Sequence, residues 1–255
     1  MNDFVVVIPA RYASTRLPGK PLREINGKPM LEHVWLRAAE SRAREVVIAT
    51  DDERIADAAE KFDGGVCMTG DHHRSGTERI AEVADLMDWG DDVIVVNLQG
   101  DEPAMPPQLI DQCADLLADE SVDIATLASP LASREDFDDP NVVKVVVDDT
   151  DNALYFSRAA IPYPRSETDG RSAMALALHH HGLYGYRCGV LRRLVAAPPS
   201  GLELVEQLEQ LRALALGMTI RVGRPSVRPG RGVDTEADLE SASRELANRR
   251  PPDGQ

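Results

Sequence analysis

Cysteine is nearly absent from this 255-residue chain. Cys67, Cys113 and Cys188 are too few and too scattered for a disulfide framework or a thiolate zinc site, and are expected as small core residues. Aromatic residues make up 4% and are not interleaved with cations, which removes the stacking platform that single-stranded nucleic acid uses. Lysine is scarce, with Lys20, Lys28, Lys61 and Lys144 alone among 28 basic residues, and 43 acidic residues bring the net charge to −15. That charge opposes nucleic acid and anionic membrane as partners. No apolar run approaches the ~18 residues of a membrane span, and the N-terminus enters a strand pattern without a basic flank or cleavage region, so a cytoplasmic protein is expected. Three glycine motifs are also missing. Without G-x-x-x-x-G-K-[ST], G-x-G-x-x-G or G-x-S-x-G, the sequence supports neither a P-loop NTPase, nor a dinucleotide fold, nor a serine hydrolase.

What is present reads as an α/β protein. Phe4-Val-Val-Val-Ile8 is a β-branched apolar run bounded by proline, suited to a central parallel strand. Further strand patterns at 45–50, 65–68, 92–98 and 123–127 alternate with helical spacing at 30–41, 53–62, 77–87 and 106–118. Alternation of this kind predicts a doubly wound, mostly parallel sheet. From about 133 to 187 the order changes, with strand patterns at 142–147, 153–156 and 182–187, and a lobe added to the main sheet is expected there. An amphipathic helix over 202–216, a strand over 219–222 and a closing helix over 235–248 complete a single domain spanning 1–248, with 249–255 as a frayed, disordered tail.

Chemistry gathers at the ends of the strands. The loop after the first strand carries Arg11, Arg16 and Lys20, with Ser14 and Thr15 between them. Open α/β sheets bind ligands at the carboxyl ends of their strands, and three cations in ten residues of an acidic chain suit a polyphosphate. The strand 92–98 runs into Gln99-Gly-Asp-Glu-Pro103, where Gly100 permits close approach to a ligand and Asp101 either holds Mg²⁺ or caps the following helix. Pro229-Gly-Arg-Gly-Val-Asp-Thr-Glu236 offers Asp234 as a second metal carboxylate or as a helix N-cap. Ser75, followed by Glu78, reads as a capping box. His179-His-His181 is not a metal site, because successive strand residues face opposite sides. Glu209 and Gln210 are, by spacing alone, the solvated face of an amphipathic helix.

Ile8-Pro-Ala-Arg-Tyr-Ala-Ser-Thr-Arg-Leu-Pro-Gly-Lys-Pro-Leu22 closely resembles the opening of the CMP-Kdo synthetases, the 3-deoxy-manno-octulosonate cytidylyltransferases. The Gln-Gly-Asp-Glu and Gly-Val-Asp-Thr segments match as well, and so do Tyr155-Phe-Ser-Arg158, His181-Gly-Leu-Tyr-Gly-Tyr-Arg187 and Leu208-Glu-Gln-Leu-Arg212, all in family order. The resemblance implies a Rossmann-like three-layer α/β/α nucleotidyltransferase, usually a homodimer, that couples CTP to a 3-deoxy-2-ulosonic acid with Mg²⁺. It places Pro9, Ala10, Arg11, Ser14, Arg16, Lys20, Arg74, Ser75 and Gln99 on CTP, and Asp101 and Asp234 on the metal. Gln99, Arg158, His181, Tyr184, Tyr186, Glu209 and Gln210 are implied for the acceptor, with Arg158 on its carboxylate. Arg11, Lys20, Asp101 and Asp234 are the implied catalytic set. Two alternatives keep the nucleotide: CTP-dependent activation of another anionic acceptor such as a phosphonate, and a nucleotide-binding regulator without turnover.

Overall fold

The computed structural model describes residues 3–13, 17–166 and 170–247. Among the described residues eleven strands form: β1 (Phe4–Pro9), the small hairpin β2 (Glu24–Ile25) and β3 (Lys28–Pro29), β4 (Glu45–Thr50), β5 (Gly65–Met68), β6 (Ile94–Asn97), β7 (Ile124–Pro130), β8 (Lys144–Val147), β9 (Ala153–Ser157), β10 (Leu178–Arg187) and β11 (Ile220–Gly223). The main path of the large sheet runs β11-β7-β10-β6-β1-β4-β5. β1 pairs parallel with both β4 and β6, β4 with β5, and β11 with β7. β10 alone on this path is antiparallel, lying between β6 and β7. The β8–β9 hairpin hangs from the first residues of β10.

β1 shows why the sheet is covered on both faces. Val5 and Val7 join one core with Val47, Val95, Ile80 and Leu191, while Phe4, Val6 and Ile8 join a second with Leu31, Ile48, Ile55 and Ile110. Side chains alternate across a strand, so an uninterrupted apolar run needs helices on either side. One layer comprises α1 (Met30–Ala39), α2 (Glu53–Glu60) and α4 (Pro107–Asp115), with a 3₁₀ turn continuing the last. The other comprises α3 (Gly76–Leu86), α7 (Cys188–Ala196) and α9 (Gln210–Ala215). The three-layer α/β/α expectation holds. α5 (Arg134–Asp138), α6 (Gly170–Leu176), α8 (Gly201–Glu206) and α10 (Glu236–Ala247) complete the set. A third apolar cluster of Leu17, Ile25, Met30, Val233, Leu239 and Ala242 docks α10 against the β2–β3 hairpin.

Three expectations need correction. The helix expected over 202–216 is two short helices, α8 and α9, because Gln207 adopts a left-handed backbone conformation with φ 53°. Buried Glu203 accepts two hydrogen bonds from the Arg212 guanidinium, at 2.9 and 2.5 Å, and that pair joins α8 to α9 across the break. α7 was not expected at all. β10 begins at Leu178 rather than 182, since the histidines pair with β7 and extend the strand across a bulge between His181 and Tyr184. The segment 249–255 lies outside the described residues.

Candidate active site

Because β1 and β6 are parallel neighbours, their exits stand side by side. Leu98 N donates to Val7 O at 3.1 Å, and Ala10 N donates to Ala49 O at 2.9 Å. Gly100 sits so close that a Cβ there would lie 2.9 Å from Pro9 O, so only glycine lets the two loops meet. A cleft of about 350 Å³ opens over this point, lined by Pro9, Ala10, Arg11, Ala13, Lys20, Pro21, Gln99, Gly100, Asp101 and Asp234. Of the residues implied for the nucleotide, Pro9, Ala10, Arg11, Lys20 and Gln99 are brought together here. Ser14 and Arg16 lie outside the described residues.

Lys20 is the electrostatic centre of the cleft. It follows Gly19, whose φ of 64° starts a short 3₁₀ turn over Lys20–Leu22. Its ammonium donates to Asp101 Oδ2 at 2.7 Å and to Asp234 Oδ1 at 2.9 Å. Asp234 reaches this position because Val233 N donates to Asp101 O at 2.8 Å, with Val233 anchored in the third cluster. The alternative of Asp234 as a helix cap does not hold. Asp238 takes the turn's hydrogen bonds from Asp234 N, Thr235 N and Thr235 Oγ1, and Thr235 Oγ1 caps Asp238 N. Burial opposes the Lys20 charge, and the two carboxylates, Asp101 foremost, more than offset it and raise the pKa above its ordinary value. Next door, burial and then the Asp101 charge push the Glu102 carboxyl up to about 8.

Two hard carboxylate oxygens converging on one cationic centre are a donor set that fits Mg²⁺, which keeps substrate phosphates and waters in its remaining positions. Among the described residues no group of three or more His, Cys, Asp and Glu is placed to hold an ion unaided. Asp101 and Asp234 are therefore the residues that would hold it, with a ligand completing the sphere.

A second, smaller cavity of about 100 Å³ is lined by Thr77, Asn97, Gln99, Tyr184, Tyr186, Glu209 and Gln210, together with Ile124 and Leu194. Gln99 belongs to both cavities and joins them. Glu209 accepts from Ser75 Oγ at 2.8 Å and from Thr77 Oγ1 at 2.6 Å, tying the head of α3 to the head of α9. Tyr184 Oη is buried without a hydrogen-bond partner among the described residues. A buried hydroxyl left unpaired is costly, so this one suits a polar ligand. Burial holds the Tyr184 and Tyr186 phenols well above their ordinary range, and both remain neutral donors. Thr77 and Asn97 were missed as site residues. Thr77 stands two places after Ser75, and Asn97 is the polar end of an apolar strand, so a polar residue closing a buried strand was the available signal.

Four implied residues stand elsewhere. Arg158 donates to the carbonyls of Glu206 at 2.8 Å, Pro140 at 3.1 Å and Gln207 at 3.5 Å, which fastens the lobe to α8 and keeps the guanidinium out of both cavities. His181 Nε2 lies 2.8 Å from Ser129 Oγ, and the ring lines neither cavity. Ser75 caps α3 by accepting from Glu78 N at 3.2 Å, but the Glu78 carboxylate takes Arg74 N at 2.7 Å, so the capping box is shifted by one residue. Arg74 is exposed at the head of α3 and does not line the cleft.

The cytidylyltransferase family profile matches residues 5–220. The structure is similar to that of CMP:2-keto-3-deoxy-manno-octonic acid synthetase complexed with CTP, at 42% identity, covering 96% of this chain and 99% of that chain, with a TM-score of 0.88. It also resembles a cytidylyltransferase from Leptospira borgpetersenii serovar Hardjo-bovis at 16% identity, with 98% and 89% covered and a TM-score of 0.64. The 4-diphosphocytidyl-2C-methyl-D-erythritol synthase of Anaerococcus prevotii matches at 14% identity, with 96% and 97% covered and a TM-score of 0.63. These last two show the fold alone.

Proposed function

The chain belongs to the cytidylyltransferase family, and on that premise we propose that it couples CTP to a 3-deoxy-2-ulosonic acid, Kdo or a close relative, giving the CMP-sugar and pyrophosphate. The observation that carries this reading is the meeting of two cavities at Gln99, one centred on Lys20 and the Asp101–Asp234 pair, the other offering hydroxyls and amides beside the Glu209 carboxylate. The first suits a triphosphate. The second suits a polyhydroxylated acceptor, because Tyr184, Tyr186, Thr77, Asn97 and Gln210 offer hydrogen bonds that a small phosphonate would leave unmade.

In this reading Arg11 and Lys20 neutralise the phosphates that leave as pyrophosphate. The anomeric hydroxyl oxygen attacks the α-phosphorus, the bond to the β-bridging oxygen breaks, and the hydroxyl proton passes to solvent. Mg²⁺ on Asp101 and Asp234 would supply charge neutralisation at the phosphate oxygens. No side-chain base is invoked. Positioning across the Gln99 junction and charge stabilisation supply most of the rate. The chain acts as a homodimer in this reading, supported by the exposed Leu202, Leu204 and Val205 on α8. No helix among the described residues is long and apolar enough to cross a membrane. The cytoplasm, where nucleoside triphosphates are available, is the compartment such a substrate requires.

A side-by-side pyrophosphate assay with CTP and Mg²⁺ tests the acceptor. Release is expected with Kdo and not with phosphonoformate. Release with the phosphonate alone would overturn the sugar-acid assignment.

A further inference from the structure

One position in the cleft is claimed twice. The Lys20 ammonium lies 2.7 Å from Asp101 and 2.9 Å from Asp234, between the two carboxylates that would hold a divalent ion. An ion about 2.0–2.1 Å from the two oxygens that the ammonium bonds, Asp101 Oδ2 and Asp234 Oδ1, would overlap the ammonium, so the two cannot share those oxygens.

The reason for the lysine follows from charge. Asp101 and Asp234 are brought together by the Val233–Asp101 backbone bond and by the packing of α10, whether or not a metal is present. Two carboxylates held this close repel, and a cation between them offsets the repulsion. Lysine is suited to a temporary role of this kind. Its charge is compact, its stem has four flexible carbons, and it makes no bidentate lock on either carboxylate. Lys20 lines the cleft together with Arg11, so an anion bound there offers the same side chain a second partner.

We propose that Lys20 is an internal counter-cation that closes the Asp101–Asp234 pair, must leave before a divalent ion binds there, and is drawn away by the triphosphate of the incoming nucleotide. The nucleotide and the ion therefore bind cooperatively, each favouring the state in which the ammonium has moved onto phosphate. Linkage makes the effect reciprocal. An ion that binds only the lysine-free state has its apparent affinity reduced by the fraction of that state. This inference rests on the nucleotide reading of the cleft, but its first consequence is measured without any nucleotide.

Removing the lysine should tighten metal binding, the opposite of what a lysine that merely assists the site would do. The test is Mn²⁺ binding to the full chain, followed by electron paramagnetic resonance, in wild type, Lys20→Met and Lys20→Gln. Both variants are expected to bind Mn²⁺ about tenfold or more tightly than wild type in the absence of nucleotide. Adding Asp234→Asn to either should abolish the gain, which locates the ion at the pair. Thermal unfolding gives a second readout: Lys20→Met should melt lower than wild type without divalent ions and recover when Mn²⁺ is added. With wild type, CTP should tighten Mn²⁺ binding beyond the affinity of CTP alone for Mn²⁺, and this synergy should shrink in the variants. Equal or weaker Mn²⁺ binding in the lysine variants overturns the proposal. Tighter binding without any CTP synergy would overturn it as well, since the ammonium would then not move onto phosphate, whereas the nucleotide reading itself fails only if the wild type binds no CTP.

Discussion

Lys20 and Asp234 are separated by 214 positions along the chain and by 2.9 Å between their charged atoms. Lys20 stood out by itself, as one of three cations in the short loop after the first strand, whereas for Asp234 the residues left a helix cap open and only the resemblance pointed to the metal. Gln99 was singled out by the resemblance alone, and so were Arg158 and His181. No local pattern could show the partners these last two take, because the carbonyls of Glu206 and Pro140 and the Ser129 hydroxyl come from elements brought close only by the fold. The histidine strand makes a testable statement about pH. Burial first, and then neighbouring histidines, lower His180 to about 3 and His181 to about 4, from an ordinary value of 6.5. A base depressed in the folded state adds nothing above pH 6.5 and loses stability as pH falls below it, by at most about 1.4 kcal/mol per pH unit for each ring. Urea unfolding between pH 7 and pH 4 should therefore show stability falling with acid, with a shallower slope in His180→Gln/His181→Gln. An unchanged slope would place the acid sensitivity elsewhere.

At the scale of elements, β1, β4 and β5 matched the sequence reading because continuous apolar runs bounded by turns leave little choice of structure. The break between α8 and α9 was invisible, since nothing local forces Gln207 into the left-handed region. The Arg212–Glu203 pair bridges the break, with side chains only 6% and 11% exposed. That pair also bears on the site, because the Arg212 guanidinium lies 3.9 Å from Glu209, which joins α3 to α9. Arg212→Leu would leave the Glu203 carboxylate buried without its counter-ion, at a cost of about 3–5 kcal/mol. Chemical denaturation should show that loss. Steady-state kinetics should show KM for the sugar acid rising more than KM for CTP, since the second cavity is built on α9. A stability loss with both KM values unmoved would mean that the helix break is structural only.

At the scale of the molecule, alternating strands and helices announced the layers and put the cleft at the carboxyl edge of the sheet, and this much follows from chain order. The insertion of antiparallel β10 between β6 and β7 does not, because it depends on a pairing across more than eighty residues that no local pattern records. Yet this strand carries Tyr184 and Tyr186 into the second cavity, where the proposed reading seats the acceptor. In the proposed reading the cytidylyl group itself is transferred across the Gln99 junction. ³¹P nuclear magnetic resonance of the protein with CTP, Mg²⁺ and Kdo tests it most directly. The three CTP resonances should give way to one phosphodiester resonance and pyrophosphate in equal amounts, and Asp101→Asn should leave CTP essentially unconverted over the same time. The appearance of CDP with orthophosphate, or unaltered CTP in the presence of wild-type protein and sugar acid, would contradict it.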